Sequence, residues 1–399
     1  MAIYLQHGFG KSDKIEEALE NGTVQGVVLA PRNEKPEKLA SCVQSLIDRQ
    51  DCEVLIDPQF YISTFAPAKV GYLPEYSYFH GGLSAGDFSM RRIRQYVEEV
   101  LAFQAELGGT AMIAPTVLFD SFNDRWYQIA LNLADAALEI HAGLDAPPPL
   151  LLSFAMAEES LSAEEEVNSF LDTVTQDGWG MQGFYLVVAR NESSYNQDWD
   201  GSRLANLLYL VHVLGHINET RVVMGYTDFL GVALRAAGAS AFATGWSQGL
   251  RQFVRKNFLE RPPGGQPPRL RYSSGPLLNS IFLQELQEIY EVGKLEDVLS
   301  GVELDSVITE AESPLAATWN QNISQHHHWQ TLNSLDQAIT GNVRRNVLSV
   351  LGKVREARAL YASLAREGVE LKGFSGPGHL PNWGRALTEF ARRAGFAPS

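Results

Sequence analysis

Eight short, near-continuous apolar runs recur along the chain, and most are followed by a helical stretch with one apolar face. No other feature limits the fold as much. The runs are IYLQHG (3–8), GVVLAP (26–31), EVLIDP (53–58), AMIAPTVLF (111–119), LLLSFAM (150–156), GFYLVVAR (183–190), RVVMGY (221–226) and SAFATGW (240–246). Strands that are apolar on both faces are buried on both faces, as in a parallel sheet covered by helices. Between them, KSDKIEEALENG has a Ser/Asp start and a Gly stop. EKLASCVQSLIDRQ, SMRRIRQYVEEVLAFQAELGG and YTDFLGVALRAAGA repeat apolar residues at helical spacing. Eight β-then-α units in about 250 residues predict an α/β fold, a (β/α)8 TIM barrel. Residues 1–260 are assigned to this barrel as a catalytic domain. RPPGGQPPR opens a basic Pro/Gly-rich linker over 261–275. The remainder, 276–399, reads as a helical C-terminal region.

In such a barrel the active site is built at the C-terminal ends of the strands. VLIDPQFYI (54–62) places Asp57 at one of them, and Pro58 turns the chain outward. A carboxylate at the end of a buried strand is costly unless it is paired or used. No helix starts after Asp57 for it to cap. Other strand ends carry His7, Arg32, Asp120 with Asn123 and Asp124, Glu158 with Glu159, Arg190, Tyr226 with Asp228, and Trp246. Several carboxylates around one mouth suit acid–base or nucleophilic chemistry, with Asp57 the leading candidate and Asp120 or Asp124 a second acid. Asp228 and Glu158/Glu159 read as helix N-caps. The connection from Pro58 to His80 holds Phe60, Tyr61, Phe65, Tyr72, Tyr76, Tyr78 and Phe79. Such a set either stacks on flat rings or packs a lid onto the barrel.

The formal net charge is −15, which taken alone disfavours nucleic acid as a partner. The distribution is uneven. Leu250–Gly275 carries Arg251, Arg255, Lys256, Arg261, Arg269 and Arg271 against Glu260 alone, and the chain from Gly341 onward has ten Lys/Arg against four Glu. Residues 276–340 hold one Lys and ten acids. The basic islands predict a phosphate-backbone track, with Arg251, Arg255, Lys256, Arg269 and Arg271 as its contacts. The two cysteines, Cys42 and Cys52, form no Cys-x-x-Cys motif. A reducing, cytoplasmic compartment is expected, and no thiolate zinc site. The first residues read as a strand and not as a signal peptide, and no apolar run of about 18 residues predicts a membrane span. His326, His327 and His328 are adjacent on a helical stretch and point in different directions, so no metal site is expected of them. No cofactor is expected.

The layout resembles the tRNA-guanine transglycosylase superfamily, including its relatives that insert 7-deazaguanines into DNA. QHGFGKSDKIEEALENG resembles that family's opening strand, loop and helix, and VLIDPQFYI its strand with an active-site aspartate, which falls on Asp57. RVVMGYTDFLGVALRAAGASAFATGW is similar to its seventh and eighth units, and RYSSGPLLNSIFLQEL with HHHWQTLNSLDQAI to its C-terminal helices. The likeness spans most of residues 1–340. Two departures matter. The Cys-x-Cys-x-x-Cys plus His zinc site of the tRNA-acting members is missing here. Where the family places its nucleophilic aspartate, this chain has Ala243, Thr244, Gly245 and Trp246. Both the tRNA substrate and base exchange are thereby put in doubt.

The resemblance implies cleavage of an N-glycosidic bond. The expected function is a DNA glycosylase for a modified base, and a role in antiviral defence fits it. Asp57 would activate water or face the sugar cation, assisted by Asp120 or Asp124. His7, Arg32, Gln59, Tyr61, Arg190, Tyr226 and Trp246 would hold the base. The alternatives are base exchange on tRNA or DNA with Asp57 as nucleophile, a non-catalytic nucleic-acid-binding subunit, and a small-molecule barrel enzyme. The oligomeric state stays open.

Overall fold

The computed structural model describes residues 3–49, 51–176, 183–192, 194–260 and 269–396. All eight expected strands are present: β1 (Ile3–Gln6), β2 (Gly26–Leu29), β3 (Glu53–Ile56), the split pair β4 (Met112–Ile113) and β5 (Leu118–Phe119), β6 (Leu150–Ala157), β7 (Phe184–Ala189), β8 (Val222–Met224) and β9 (Ala241–Thr244). Every pairing among them is parallel, in the order β3-β2-β1-β9-β8-β7-β6-β4, with β5 beside β6. A single bridge, Leu55 to Ala111, joins the two ends of that order, so the barrel is nearly closed with one thin seam. The AMIAPTVLF run splits because Pro115 has no N–H to give to a ladder.

The surrounding helices are α1 (Lys14–Glu20), α2 (Pro36–Ile47), α3 (Met90–Leu107), α4 (Arg125–Ala142), α5 (Glu164–Val174), α6 (Gly201–His212) and α7 (Leu230–Ala237). Their ends carry local signals. Ser89 and Asp200 cap the starts of α3 and α6 through their side chains, and Gly108 ends α3 in the left-handed region at φ 79°. After β9 comes one short turn, α8 (Gln248–Arg251).

Residues 261–268 of the expected linker lie outside the described residues. The rest of 261–275 is not a plain linker. Arg271–Ser274 forms β10, which pairs antiparallel with β11 (Asn279–Phe282), so the region expected to be all-helical from 276 opens with a hairpin strand. Helices follow: α9 (Leu283–Glu291), α10 (Leu295–Val298), α11 (Ser306–Thr309), α12 (Gln321–Gln337), α13 (Val343–Arg366) and α14 (Leu380–Arg393). α12 carries the three adjacent histidines, the first and third of which tie it to the barrel. They diverge as expected of neighbours on a helix, and each meets a different carboxylate: His326 with Glu17 at 2.8 Å, His327 with Asp305 at 2.8 Å and His328 with Asp228 at 3.0 Å. Among the described residues no cluster of three or more His, Cys, Asp or Glu is arranged to hold a metal ion. Among them, too, no helix is long and apolar enough to cross a membrane.

Candidate functional site

Side chains alternate along each strand, so the residues that face the barrel interior follow a two-residue step. On β3 that step carries Glu53 and Asp57, and on β1 Tyr4 and Gln6. Tyr4, Glu53 and Arg221 bond to one another at the lower end. Asp57 comes out at the upper end, one step beyond β3, with its N–H given to Leu29 O at 2.9 Å.

The Asp57 carboxylate is buried and fully engaged. Gln59 N donates to Oδ1 at 2.9 Å, and the hydroxyls of Tyr61 and Tyr185 donate to Oδ2 at 3.0 and 3.2 Å. Burial raises its pKa to about 6, against the downward pull of those three hydrogen bonds. The same burial, with the nearby carboxylate, holds Tyr61 and Tyr185 far above the ordinary tyrosine value. At neutral pH the group is therefore an ionised carboxylate with neutral phenols around it. Among the described residues no positive partner bonds to it.

Above Asp57 lies a cavity of about 200 Å³ lined by Phe9, Arg32, Asn33, Gln59, Lys69, Tyr226, Asn257 and Phe258, among others. Its floor is the Gln59–Tyr226 hydrogen bond, 2.8 Å from Nε2 to the hydroxyl. Both residues have left-handed backbones, at φ 51° and 54°. Such conformations cost non-glycine residues roughly 1–3 kcal/mol each and tend to gather at functional sites. They close the cavity off from the carboxylate. Gly225, before Tyr226, has its own reason to be glycine. A Cβ there would stand 2.5 Å from the Tyr185 hydroxyl and push it off Asp57.

The aromatic connection is a lid. Phe60, Tyr61, Phe65, Tyr76 and Tyr78 are buried, and Tyr78 donates to Pro58 O at 2.8 Å. These rings pack inward and offer no open stacking face. The segment after β9 joins them. Phe253 and Phe258 stack at 4.6 Å, and both meet Tyr61 and Tyr226 edge-on. Lys69 N bonds to Phe258 O at 2.8 Å, and Arg190 N to Phe253 O at 2.8 Å. Two loops distant in sequence thus cover one mouth.

Of the residues expected at the site, Asp57, Gln59, Tyr61, Tyr226 and Arg32 come together. Arg32 lines the cavity, donates to Lys69 O at 2.7 Å and lies 4.9 Å over Phe258. His7 is one layer back: Nδ1 accepts from Ala30 N at 3.3 Å, leaving Nε2 3.7 Å from Glu34. The other expectations need correction. Asp124 caps α4, accepting from the backbone N–H groups of Asp120, Ser121 and Tyr127, and Asp120 is exposed. Neither bonds to the Asp57 group. Glu158 and Asp228, read as caps, are instead buried ion partners. Arg190 is 3.0 Å from Glu158 and stacks 3.8 Å over Trp199. Desolvation lowers its pKa to about 10, and it holds strand ends together behind Tyr226. Trp246 gives its N–H to Phe9 O at 2.9 Å and faces a different recess, between α1 and α12.

The expected phosphate track also changes. Arg251 is buried and donates to Gly245 O at 2.9 Å. Arg271 is buried between Tyr195 and Phe282, at 4.1 and 3.9 Å. Lys256 is paired with Glu192 at 3.0 Å, and Arg255 and Arg269 are exposed. A buried guanidinium cannot neutralise a backbone phosphate.

Sequence reasoning missed Tyr185, Gln6, Lys69 and Asn257. For Tyr185 and Gln6 a signal existed: each is a polar group on the inward step of an apolar strand. Lys69 and Asn257 reach the cavity only because the two loops meet.

What the fold and site define is a parallel barrel with one occluded carboxylate beneath a small polar cavity. No family model matches the chain, and no curated protein matches it. Among solved structures it is similar to a glycoside hydrolase family 3 beta-N-acetylglucosaminidase from Paenibacillus sp. str. FPU-7, at 11% identity and a TM-score of 0.37 over 89% of this chain and 67% of that chain. A likeness that loose carries no argument, so the barrel is assigned from its own strand order.

Proposed function

We propose that this barrel hydrolyses an N-glycosidic bond, releasing a base from its sugar, with a modified base in DNA as the substrate. The observation that supports it is the isolation of Asp57. Cleavage of a glycosidic bond builds positive charge on the sugar. An O-glycosidase meets this with two carboxylates roughly 5–10 Å apart, one of them protonating the leaving oxygen. Among the described residues the other buried carboxylates are occupied: Glu158 holds Arg190, Asp228 holds His328, Asp305 holds His327 and Asp336 holds Arg235. A nucleobase departs on a ring nitrogen that can carry the electron pair and then take a proton from solvent. One carboxylate is then enough.

In this reading Asp57, ionised above about pH 6, stabilises the sugar cation and accepts a proton from the water that adds to the anomeric carbon. The C–N bond breaks with its electrons going to the base, and a C–O bond forms. The cavity has room for one ring-sized group, below the roughly 300 Å³ of a drug-sized pocket. An extruded base fits that scale. Arg32, Asn33, Lys69 and Asn257 offer polar contacts to its edge. The strained Gln59–Tyr226 floor has to open for the sugar to reach Asp57.

The test is release of free base and formation of abasic sites, measured on modified and unmodified DNA and on nucleosides, for wild type and Asp57→Asn. Release that is lost in the variant supports the reading. Activity retained in the variant, or no release from any of these substrates, sinks it. Incorporation of a labelled free base would turn it towards base exchange. The withdrawal of Arg251 and Arg271 into the interior favours a second reading, a nucleoside or other small glycoside as substrate. Hydrolysis of nucleosides without action on DNA would select it.

A further inference from the structure

A larger groove lies away from the barrel mouth's own cavity. It has about 710 Å³, against 200 Å³ above Asp57, and runs between the start of α6 and the helices α13 and α14. Its walls carry Arg355 and Arg358 on α13 and Arg385 on α14. All three are exposed. Arg355 and Arg358 are three residues apart, so they share one face of their helix. Neither makes an ion pair or hydrogen bond among the described residues. Among the described residues Arg385 bonds only to neutral Asn382. The groove's acids are spoken for: Glu164 pairs with Arg393, Glu389 with Arg392, and Asp200 accepts two backbone N–H groups at the start of α6.

Uncompensated like charges on one helix face are mildly destabilising. In a chain of net charge −15, three arginines left without an acid around one groove call for an anion. The groove also opens on the right side. Its rim includes Ser162 and Asp200, which follow the C-terminal ends of β6 and β7, the face on which Asp57 lies.

We propose that this groove binds the phosphodiester backbone of the nucleic acid whose base enters the barrel mouth. Arg355, Arg358 and Arg385 neutralise successive phosphates, taking the role that the buried Arg251 and Arg271 cannot fill. The inference rests on the DNA reading of the proposed function. Phosphate contacts set position and register and leave the choice of base to the mouth.

The experiment is a salt titration of binding to a short duplex oligonucleotide by fluorescence anisotropy. It compares wild type with Arg355→Ala/Arg358→Ala and, as a control outside the groove, Arg255→Ala/Lys256→Ala. All four residues are exposed, so folding should survive. Each phosphate contact contributes roughly 0.9 to the slope of log affinity against log salt, so the groove variant should flatten the slope by about 1.8. The control should change it less. An unchanged slope in the groove variant, or flattening only in the control, overturns the proposal. So does equal binding of polyglutamate, which would assign the groove to an acidic protein. Full displacement of duplex by stoichiometric inorganic pyrophosphate would assign it to a free phosphate ester and overturn the strand reading. Hydrolysis of free nucleosides reports on Asp57 without the groove. Loss of that activity and loss of the slope effect are therefore separate results.

Discussion

Asp57→Asn separates the chemistry of the site from its cost to the fold. The carboxyl group has a pKa of about 6 in the folded chain against 3.8 unperturbed. Each pKa unit corresponds to about 1.36 kcal/mol, so the ionised form is disfavoured in the folded state by about 3 kcal/mol. The direction follows from linkage. The folded state binds this proton more tightly than the unfolded one, so the group's stabilising contribution is full below pH 3.8. It is lost as the pH rises through 6. Asparagine carries no charge at any pH. Its oxygen can still accept from Gln59 N, and its amide can donate to a tyrosine hydroxyl. The variant should therefore be more stable than wild type at pH 7.5, by up to about 3 kcal/mol. For 399 residues the unfolding entropy is about 0.8 kcal/mol/K, giving a Tm rise of roughly 3–4 °C. The gain should shrink to nothing near pH 4. Activity should be lost throughout, while that of wild type should rise with pH through about 6. Calorimetry at several pH values and a base-release assay supply the data. A variant less stable than wild type at pH 7.5, or a difference that ignores pH, would show that the buried charge is not the burden calculated here.

Three further outcomes follow from the same contacts, and a fourth concerns metals. Tyr185→Phe removes a hydrogen bond that lowers the pKa of Asp57, so the acid limb of kcat/KM should move to higher pH. A limb that stays in place would mean that Tyr185 does not act through the carboxylate. Gly225→Ala puts a Cβ 2.5 Å from the Tyr185 hydroxyl. It should lower kcat by up to about a hundredfold through misplacement, and kinetics matching wild type would refute it. Arg190→Ala leaves Glu158 buried without its partner and should cost about 3–5 kcal/mol in urea denaturation. Adding Glu158→Gln should recover part of that loss. Activity should survive EDTA and dialysis, since His326, His327 and His328 each point to a different carboxylate. Stoichiometric zinc in the active protein would contradict this.

Local chemistry carried the strand-level reading far. Each of the eight apolar runs holds a strand, the fourth of them two, because burial on both faces needs continuous apolar residues, and that pattern is visible one residue at a time. Asp57 was legible for the same reason. A lone carboxylate between a buried strand and a proline has no local partner to explain it. Asp124 and Asp228 show the limit. Both follow a strand and precede a helix, so their sequence contexts look alike. Yet Asp124 caps its helix, while Asp228 meets His328, 100 positions along the chain. Arg251 and Arg255 show it again, being four residues apart with one buried and one exposed. The sequence by itself determined which residues must be buried and in what period, because transfer from water depends on the side chain and its immediate neighbours. Only the tertiary structure decided which polar groups meet. The Asp57–Tyr185 bond spans 128 positions and the Gln59–Tyr226 bond 167, and such pairings exist only once the barrel has closed and brought its strand ends into hydrogen-bonding reach.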